Sequence, residues 1–193
     1  MHENGAFFTR GSGHNKYGGY TEIPDEYQEV MDRLLRKHKE AAKFVPPAEI
    51  LKKPGATVGI ISLGGCDPAV REAVDLLAKK GHPLDYMRLK AFPFGEEVEK
   101  FIADHEFCFV MEQNRDAQLR TLLLLETPAQ KDQLRSILIY GGFPLSARSV
   151  IEAVEKQLTG DSPSEGAAGS PLPGRAKAGK TSRKVKELDA VNR

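Results

Sequence analysis

Apolar residues between positions 57 and 158 alternate between short continuous runs and stretches of helical spacing. The run 57–63, TVGIISL, is rich in β-branched residues and lacks polar alternation, as a strand buried on both faces requires. Residues 84–89, 107–111 and 136–140 predict three more strands. Between the first two, Val70, Ala73, Val74 and Leu77 share one helical face. Asp67 is the predicted N-cap of that helix, Pro68 its first residue and Gly81 its terminator. Val98, Phe101 and Ile102 predict a helix over 95–104, and a further helix follows over 115–125. Pro128 restarts a short helix. Ser146 then caps a last one to position 158, with Val150, Ile151, Val154 and Leu158 on one side. Strands alternating with helices of this length predict an α/β fold, a mostly parallel sheet covered by helices on both faces.

The flanks follow other patterns. Residues 1–23 are rich in glycine and polar groups and show no period, so they form an extended arm. The arm carries Phe7, Phe8, Tyr17 and Tyr20, and that aromatic content predicts that it lies against the domain or a partner. Residues 24–55 hold a helix and a connector. Pro24 opens the helix with Asp25 and Glu26 in its first turn, Tyr27, Val30, Met31, Leu34 and Leu35 form its apolar face, and Pro46-Pro47 stops it. The connector AEILKKPGA follows, and the α/β domain spans 56–159. Residues 160–193 turn to Gly, Ser, Pro and Ala and predict a disordered tail, too poor in apolar groups to offset its ordering entropy. From Gly174 onward seven bases stand against two acids, a net +5, and a solvated basic tail is expected.

Charge changes this picture little. The 193 residues carry 28 Lys+Arg and 27 Asp+Glu, a balance that argues against binding nucleic acid by bulk charge. No apolar run has the length of a membrane span, and the N-terminus has no apolar signal core, so a cytoplasmic location is expected. Two cysteines, Cys66 and Cys108, are too few for a zinc cage or an iron–sulfur site within the chain. Cys108 lies in an apolar run and is expected to be buried and reduced. Cys66 precedes a helix, whose N-terminus could lower its pKa, but filling a tight corner is the simpler role.

Two junctions stand out for chemistry. Gly64-Gly65 joins a strand to a helix, where phosphates bind in other folds, but it matches no phosphate-loop pattern and Asp67 and Glu72 would repel an anion. A tight structural turn is the better reading. At the second junction Glu112, Asn114, Arg115 and Gln118 cluster where a strand ends and a helix starts. Glu112 is a candidate acceptor for a partner, Asn114 a candidate cap, and Arg115 a candidate partner for a facing carboxylate. The competing reading is that Asn114 and Asp116 satisfy the helix start and the rest is solvated. In the arm, Arg10, Gly11, Gly13 and His14 form a candidate docking segment, since His14 has neither a metal partner at ligand spacing nor a nucleophile beside it. His38, His82 and His105 are read as solvated. No residue is expected to be catalytic, to bind a cofactor or to hold a metal.

Five segments carry a resemblance: FFTRGSGHNKYGGYTE, VGIISLGGCDPAVREAVDLL, LDYMRLKAFPF, VMEQNRDAQLRTLL and PLSARSVIEAV. In order and spacing they resemble the C-terminal region of the α subunit of 2-oxoacid:ferredoxin oxidoreductases, closest to the 2-oxoglutarate type. The resemblance implies a transketolase C-terminal-like domain that follows a pyrimidine-binding domain. It implies an assembly that decarboxylates a 2-oxoacid oxidatively to an acyl-CoA and reduces ferredoxin. Thiamine diphosphate, Mg and an iron–sulfur cluster belong to that assembly, and the implied partners are a β subunit and the preceding domains, with ferredoxin and CoA reached through the complex. This region would be structural and inactive alone. A free-standing α/β interaction module without enzymatic activity is the alternative.

Overall fold

A computed structural model describes residues 3–5 and 11–160. Phe7, Phe8, Arg10 and the basic tail, on which sequence expectations fell, lie outside the described residues.

Four parallel strands form the centre of the sheet: β2 (Val58–Leu63), β3 (Leu84–Leu89), β4 (Phe107–Glu112) and β5 (Leu134–Leu138). A short strand β1 (Glu49–Leu51) pairs antiparallel with β3, giving the order β1-β3-β2-β4-β5. The sheet is α/β and mostly parallel, as the alternation of periods requires. The connector AEILKKPGA is not wholly irregular, because β1 lies inside it. Three residues are too few for a visible period, and only the pairing with β3 makes them a strand.

Helix α1 (Pro24–Ala41) precedes the sheet. Helices α2 (Asp67–Lys79), α3 (Glu96–Ala103), α4 (Gln118–Glu126) and α5 (Ala147–Leu158) follow the parallel strands in turn. Val70, Ala73, Val74 and Leu77 of α2 join Val150, Ile151 and Val154 of α5 on one face of the sheet, against Ile60, Tyr86 and Phe109. Val98, Phe101 and Ile102 of α3 join Leu119 and Leu123 of α4 on the other face, against Ile61, Met87 and Val110. Alternate residues of each strand feed the two cores, which is why the strand runs are continuously apolar.

Space between these layers is tight at Gly59. A Cβ there would lie 2.7 Å from Cys108 Sγ and 2.8 Å from the Phe101 ring. Cys108 is fully buried, and burial pushes its thiol up to about 12.

Several local expectations need correction. Asp67 does not cap α2. It is the first helical residue, Cys66 holds the cap position without a side-chain bond, and the Asp67 carboxylate pairs with Arg71 instead. The last strand begins at Leu134, two residues before its predicted start, because a 3-10 turn, Lys131–Gln133, delivers Leu134 directly into register with Cys108. That turn stands where a short helix was predicted after Pro128. Ser146 does cap α5, accepting the Ser149 backbone N–H. His105 is buried rather than solvated, its ring lying between the Phe101 carbonyl and the Asp85 carboxylate. Of the predicted apolar face of α1, only Val30 is buried.

Candidate functional site

The path of the chain creates one switch point. From β2 it passes through α2 on one face to β3. From β4 it passes through α4 on the other face to β5. Strands β2 and β4 are neighbours, so their carboxyl ends open between helices that leave in opposite directions. In open α/β sheets this crevice is where ligands and partners bind.

One wall is the turn Gly64–Cys66. Gly64 has φ of +65°, a conformation that glycine adopts without steric penalty, and a Cβ at Gly64 or Gly65 would meet open space. Cys66 is buried, and burial, with the nearby Glu112 charge, pushes its thiol up rather than down. It is a weakly reactive group that filled a corner, contrary to activation by the α2 N-terminus.

The other wall is the Glu112–Gln118 corner. Its geometry differs from a simple cap. Asn114 Oδ1 accepts the backbone N–H groups of Asp116 at 3.0 Å and Gln118 at 3.3 Å, folding 114–117 into a turn that ends in Ala117 at φ 50° and ψ 46°. The helix therefore starts at Gln118, three residues later than its period suggested. Glu112 is 4% exposed. Its carboxylate accepts the backbone N–H groups of Leu119 at 2.6 Å and Arg120 at 3.2 Å and the Asn114 amide at 2.8 Å. It is thus not a free acceptor for a partner: it is engaged by the first turn of α4, where its charge also meets the positive end of the helix dipole. Arg115 and Gln118 are exposed, and the Arg115 guanidinium donates to the adjacent Asp116 at 2.7 Å. Gln113 spans the crevice mouth, its amide donating to the Phe143 carbonyl at 3.4 Å and its Oε1 facing Cys66 Sγ at 3.9 Å.

Beyond the turn, an ionic cluster missed in the sequence covers the end of β3. Arg71 donates to Asp67 at 2.8 Å and to Glu49 at 2.7 Å, while Arg88 lies 3.4 Å from Asp67 and Lys90 lies 3.2 Å from Glu49. The bonds from Arg71 and Lys90 hold the Glu49 carboxyl below its usual range. Only the Asp67–Arg71 spacing was legible in advance. Glu49 and Arg88 meet because β1 and β3 pair in that register. Inside the cluster, the Tyr86 hydroxyl bonds Ser62 Oγ at 2.8 Å and Asp67 at 3.0 Å, and burial, the largest cause, holds its phenol well above the usual value.

The arm residues form a separate network. His14 and Tyr20 bridge across a loop in which Asn15 Oδ1 accepts the backbone N–H groups of Tyr17 and Gly19. Gly11 is exposed, Gly13 lies against the Tyr27 ring of α1, and Lys16 pairs with Glu29 of α1. Tyr17 is 83% exposed, so the loop does not cover its aromatic groups on this domain.

Cys66 and Cys108 belong to cores on opposite faces of the sheet, and among the described residues no group of three or more His, Cys, Asp and Glu could hold an ion. No described helix is long and apolar enough to cross a membrane. The carboxyl edge offers exposed hydrogen-bonding groups, ion pairs and open glycine turns.

Comparison with solved structures then places the fold. The chain superposes on part of a 2-oxoglutarate:ferredoxin oxidoreductase from Magnetococcus marinus that was solved with 2-oxoglutarate, coenzyme A and succinyl-CoA bound. The TM-score is 0.70 at 24% identity, over 81% of this chain and 27% of that one. The fold is that of a segment of the larger chain. This chain spans about a quarter of that relative's length. Two further structures among the matches have lower TM-scores. The alpha chain of a probable 2-oxoacid ferredoxin oxidoreductase from Thermoplasma acidophilum has a TM-score of 0.41 at 20% identity, over 58% of this chain and 97% of that one. A split gene transketolase, an inactive β4 tetramer, has a TM-score of 0.46 at 21% identity, over 60% of this chain and 43% of that one. No protein-family model matches the chain, and no curated protein matches it.

Proposed function

We propose that this chain serves as the C-terminal α/β part of the α subunit of a thiamine diphosphate-dependent 2-oxoacid:ferredoxin oxidoreductase, with 2-oxoglutarate as substrate. Its role is to complete subunit contacts, through the loop 11–22 and the carboxyl edge of the sheet. Thiamine diphosphate, Mg and the iron–sulfur cluster are held by the β subunit and the pyrimidine-binding domain. CoA and ferredoxin are engaged by the assembled complex.

One observation carries this reading. Four of the five segments that resemble the oxidoreductase family contain a loop at the carboxyl end of a parallel strand: GGCD after β2, KAFPF after β3, EQNRDAQ after β4 and PLSARS before α5, while the fifth lies in the N-terminal arm. The fourth of these follows β5. The same segments run through β2, α2, β3, α4 and α5, where likeness reflects packing, but their loops lie together at one edge of the sheet, where likeness fits a shared docking surface. The neighbour with the TM-score of 0.70 belongs to the same enzyme class.

The test is reconstitution. The chain is purified alone and with a thiamine-binding β subunit and the preceding domains, and reduction of a viologen dye by 2-oxoglutarate and CoA is measured. Activity is expected only in the assembly, and Arg115→Glu is expected to weaken association at low salt, read by sedimentation. Turnover by the isolated chain, or an assembly indifferent to this chain, overturns the proposal.

A further inference from the structure

Strand β5 lies at one lateral edge of the sheet, paired with β4 on its inner side. Strand β1 forms the opposite edge. It is three residues long and is followed at once by Lys52, Lys53 and Pro54. Shortness, lysine and proline are common means of blunting an edge against pairing with another chain. Strand β5 has five residues, no proline and the single charge of Arg135, so by these measures it is the more open edge.

Register shows which groups of β5 face outward. The Ile139 backbone N–H donates to the Glu112 carbonyl, so odd-numbered residues here turn their main-chain groups toward β4. Even-numbered residues turn theirs away from the sheet, because main-chain groups alternate in direction along a strand. Leu134 and Ser136 therefore present their carbonyls outward, where a sixth strand would pair.

Both carbonyls are occupied by side chains that arrive from opposite faces of the sheet. Arg120 of α4 donates through Nε to the Leu134 carbonyl at 2.7 Å and through Nη2 to the Lys131 carbonyl at 3.0 Å. Gln157 of α5 donates through Nε2 to the Ser136 carbonyl at 2.9 Å. Helices α4 and α5 pack in separate cores, yet each sends one side chain over the same edge. At a solvated edge water would satisfy these carbonyls, so hydrogen-bond satisfaction alone calls for neither side chain. What the two add is bulk in the lane that a further strand would enter.

We propose that Arg120 and Gln157 form a clasp that seals the β5 edge against strand addition by a second copy of the chain. The two side chains stand in for a sixth strand, and pairing of two β5 edges requires that both let go. This inference is independent of the oxidoreductase reading, since it concerns a lateral edge of the sheet and not its carboxyl end.

Gln157→Ala and the double variant Arg120→Ala/Gln157→Ala of the full chain test it. Sedimentation velocity over rising concentration reads association, and amide hydrogen exchange reads where it occurs. In the native chain the outward amides of Ser136 and Leu138 are expected to exchange fast at every concentration. In the double variant self-association is expected to strengthen roughly tenfold or more, and those two amides should become protected as the associated form grows. Gln157→Ala alone should move both readouts the same way by less. Gln157→Lys, which restores a donor on a long side chain, should behave as the native chain does. Circular dichroism checks folding, and Gln157→Ala, which leaves both bonds of Arg120 in place, decides the question if the double variant is unfolded. Folded variants that associate no more than the native chain overturn the proposal. Association that leaves the Ser136 and Leu138 amides unprotected, or Gln157→Lys associating as strongly as Gln157→Ala, overturns it equally.

Discussion

Glu112 Oε1 accepts the backbone N–H of Leu119 at 2.6 Å, across seven residues of chain that turn from strand to helix. A buried carboxylate on β4 thereby satisfies a donor at the start of α4, and it takes the Arg120 N–H as well. Hydrogen bonds to a charged acceptor contribute about 1.5–3 kcal/mol, and their loss leaves buried donors unpaired. Glu112→Ala is expected to destabilise the domain by about 3 kcal/mol, with Glu112→Gln intermediate. Urea denaturation gives the total, and hydrogen exchange should show the loss first at the amides of Leu119 and Arg120. Unchanged exchange at those amides would disprove the role.

Ala117 closes the turn that precedes α4 in the left-handed region, at φ 50°. An L-residue with a Cβ is strained there by roughly 1–2 kcal/mol, and glycine is not. Ala117→Gly is therefore expected to raise stability by up to about 1 kcal/mol, after the extra entropy of glycine in the unfolded chain is subtracted. A thermal melt of the variant decides the sign. A lowered midpoint would mean that the methyl packs usefully.

Gly59 is needed for space. With 2.7 Å to Cys108 Sγ and 2.8 Å to the Phe101 ring, a new methyl has nowhere to go in the packed sheet. Gly59→Ala is expected to cost about 1–3 kcal/mol, as overpacking does. Adding Cys108→Ala removes one of the two clashes, so the double variant should be less destabilised than the sum of the two singles. Additive effects in denaturant titrations would contradict a direct clash.

Asp85 governs the acid limb of stability. Burial pushes its carboxyl up, but Lys52 Nζ at 2.8 Å, the Lys53 backbone N–H at 2.7 Å and the His105 ring at 3.1 Å outweigh that and hold it below the usual range. A carboxyl with a lower pKa folded than unfolded stabilises above its unfolded value, about 4, and that stability is lost as pH falls through the folded value. The gap in denaturation midpoint between the native chain and Asp85→Asn should thus be largest near neutrality and close below about pH 4. A gap that widens in acid would reverse the assignment.

Local pattern determined the class of this fold. The continuous apolar strand runs required burial on both faces, and the helical spacing of Val70 to Leu77 and of Val150 to Leu158 marked helices that share one core. Capping at Ser146 was legible because its partner, Ser149, is three residues away. The strand-end corner at 112–118 was also visible as an excess of polar groups. What those groups do was decided by tertiary structure. Glu112 turns inward because the end of β4 directs it under α4, and Asn114 folds a turn that delays the helix. Strand β1, the Glu49–Arg88 pairing and the buried His105 depend on contacts between residues far apart in sequence, where no local period records them. The exposure of α1 is the same lesson reversed: its apolar spacing predicts a face to be buried, and spacing alone does not say against what.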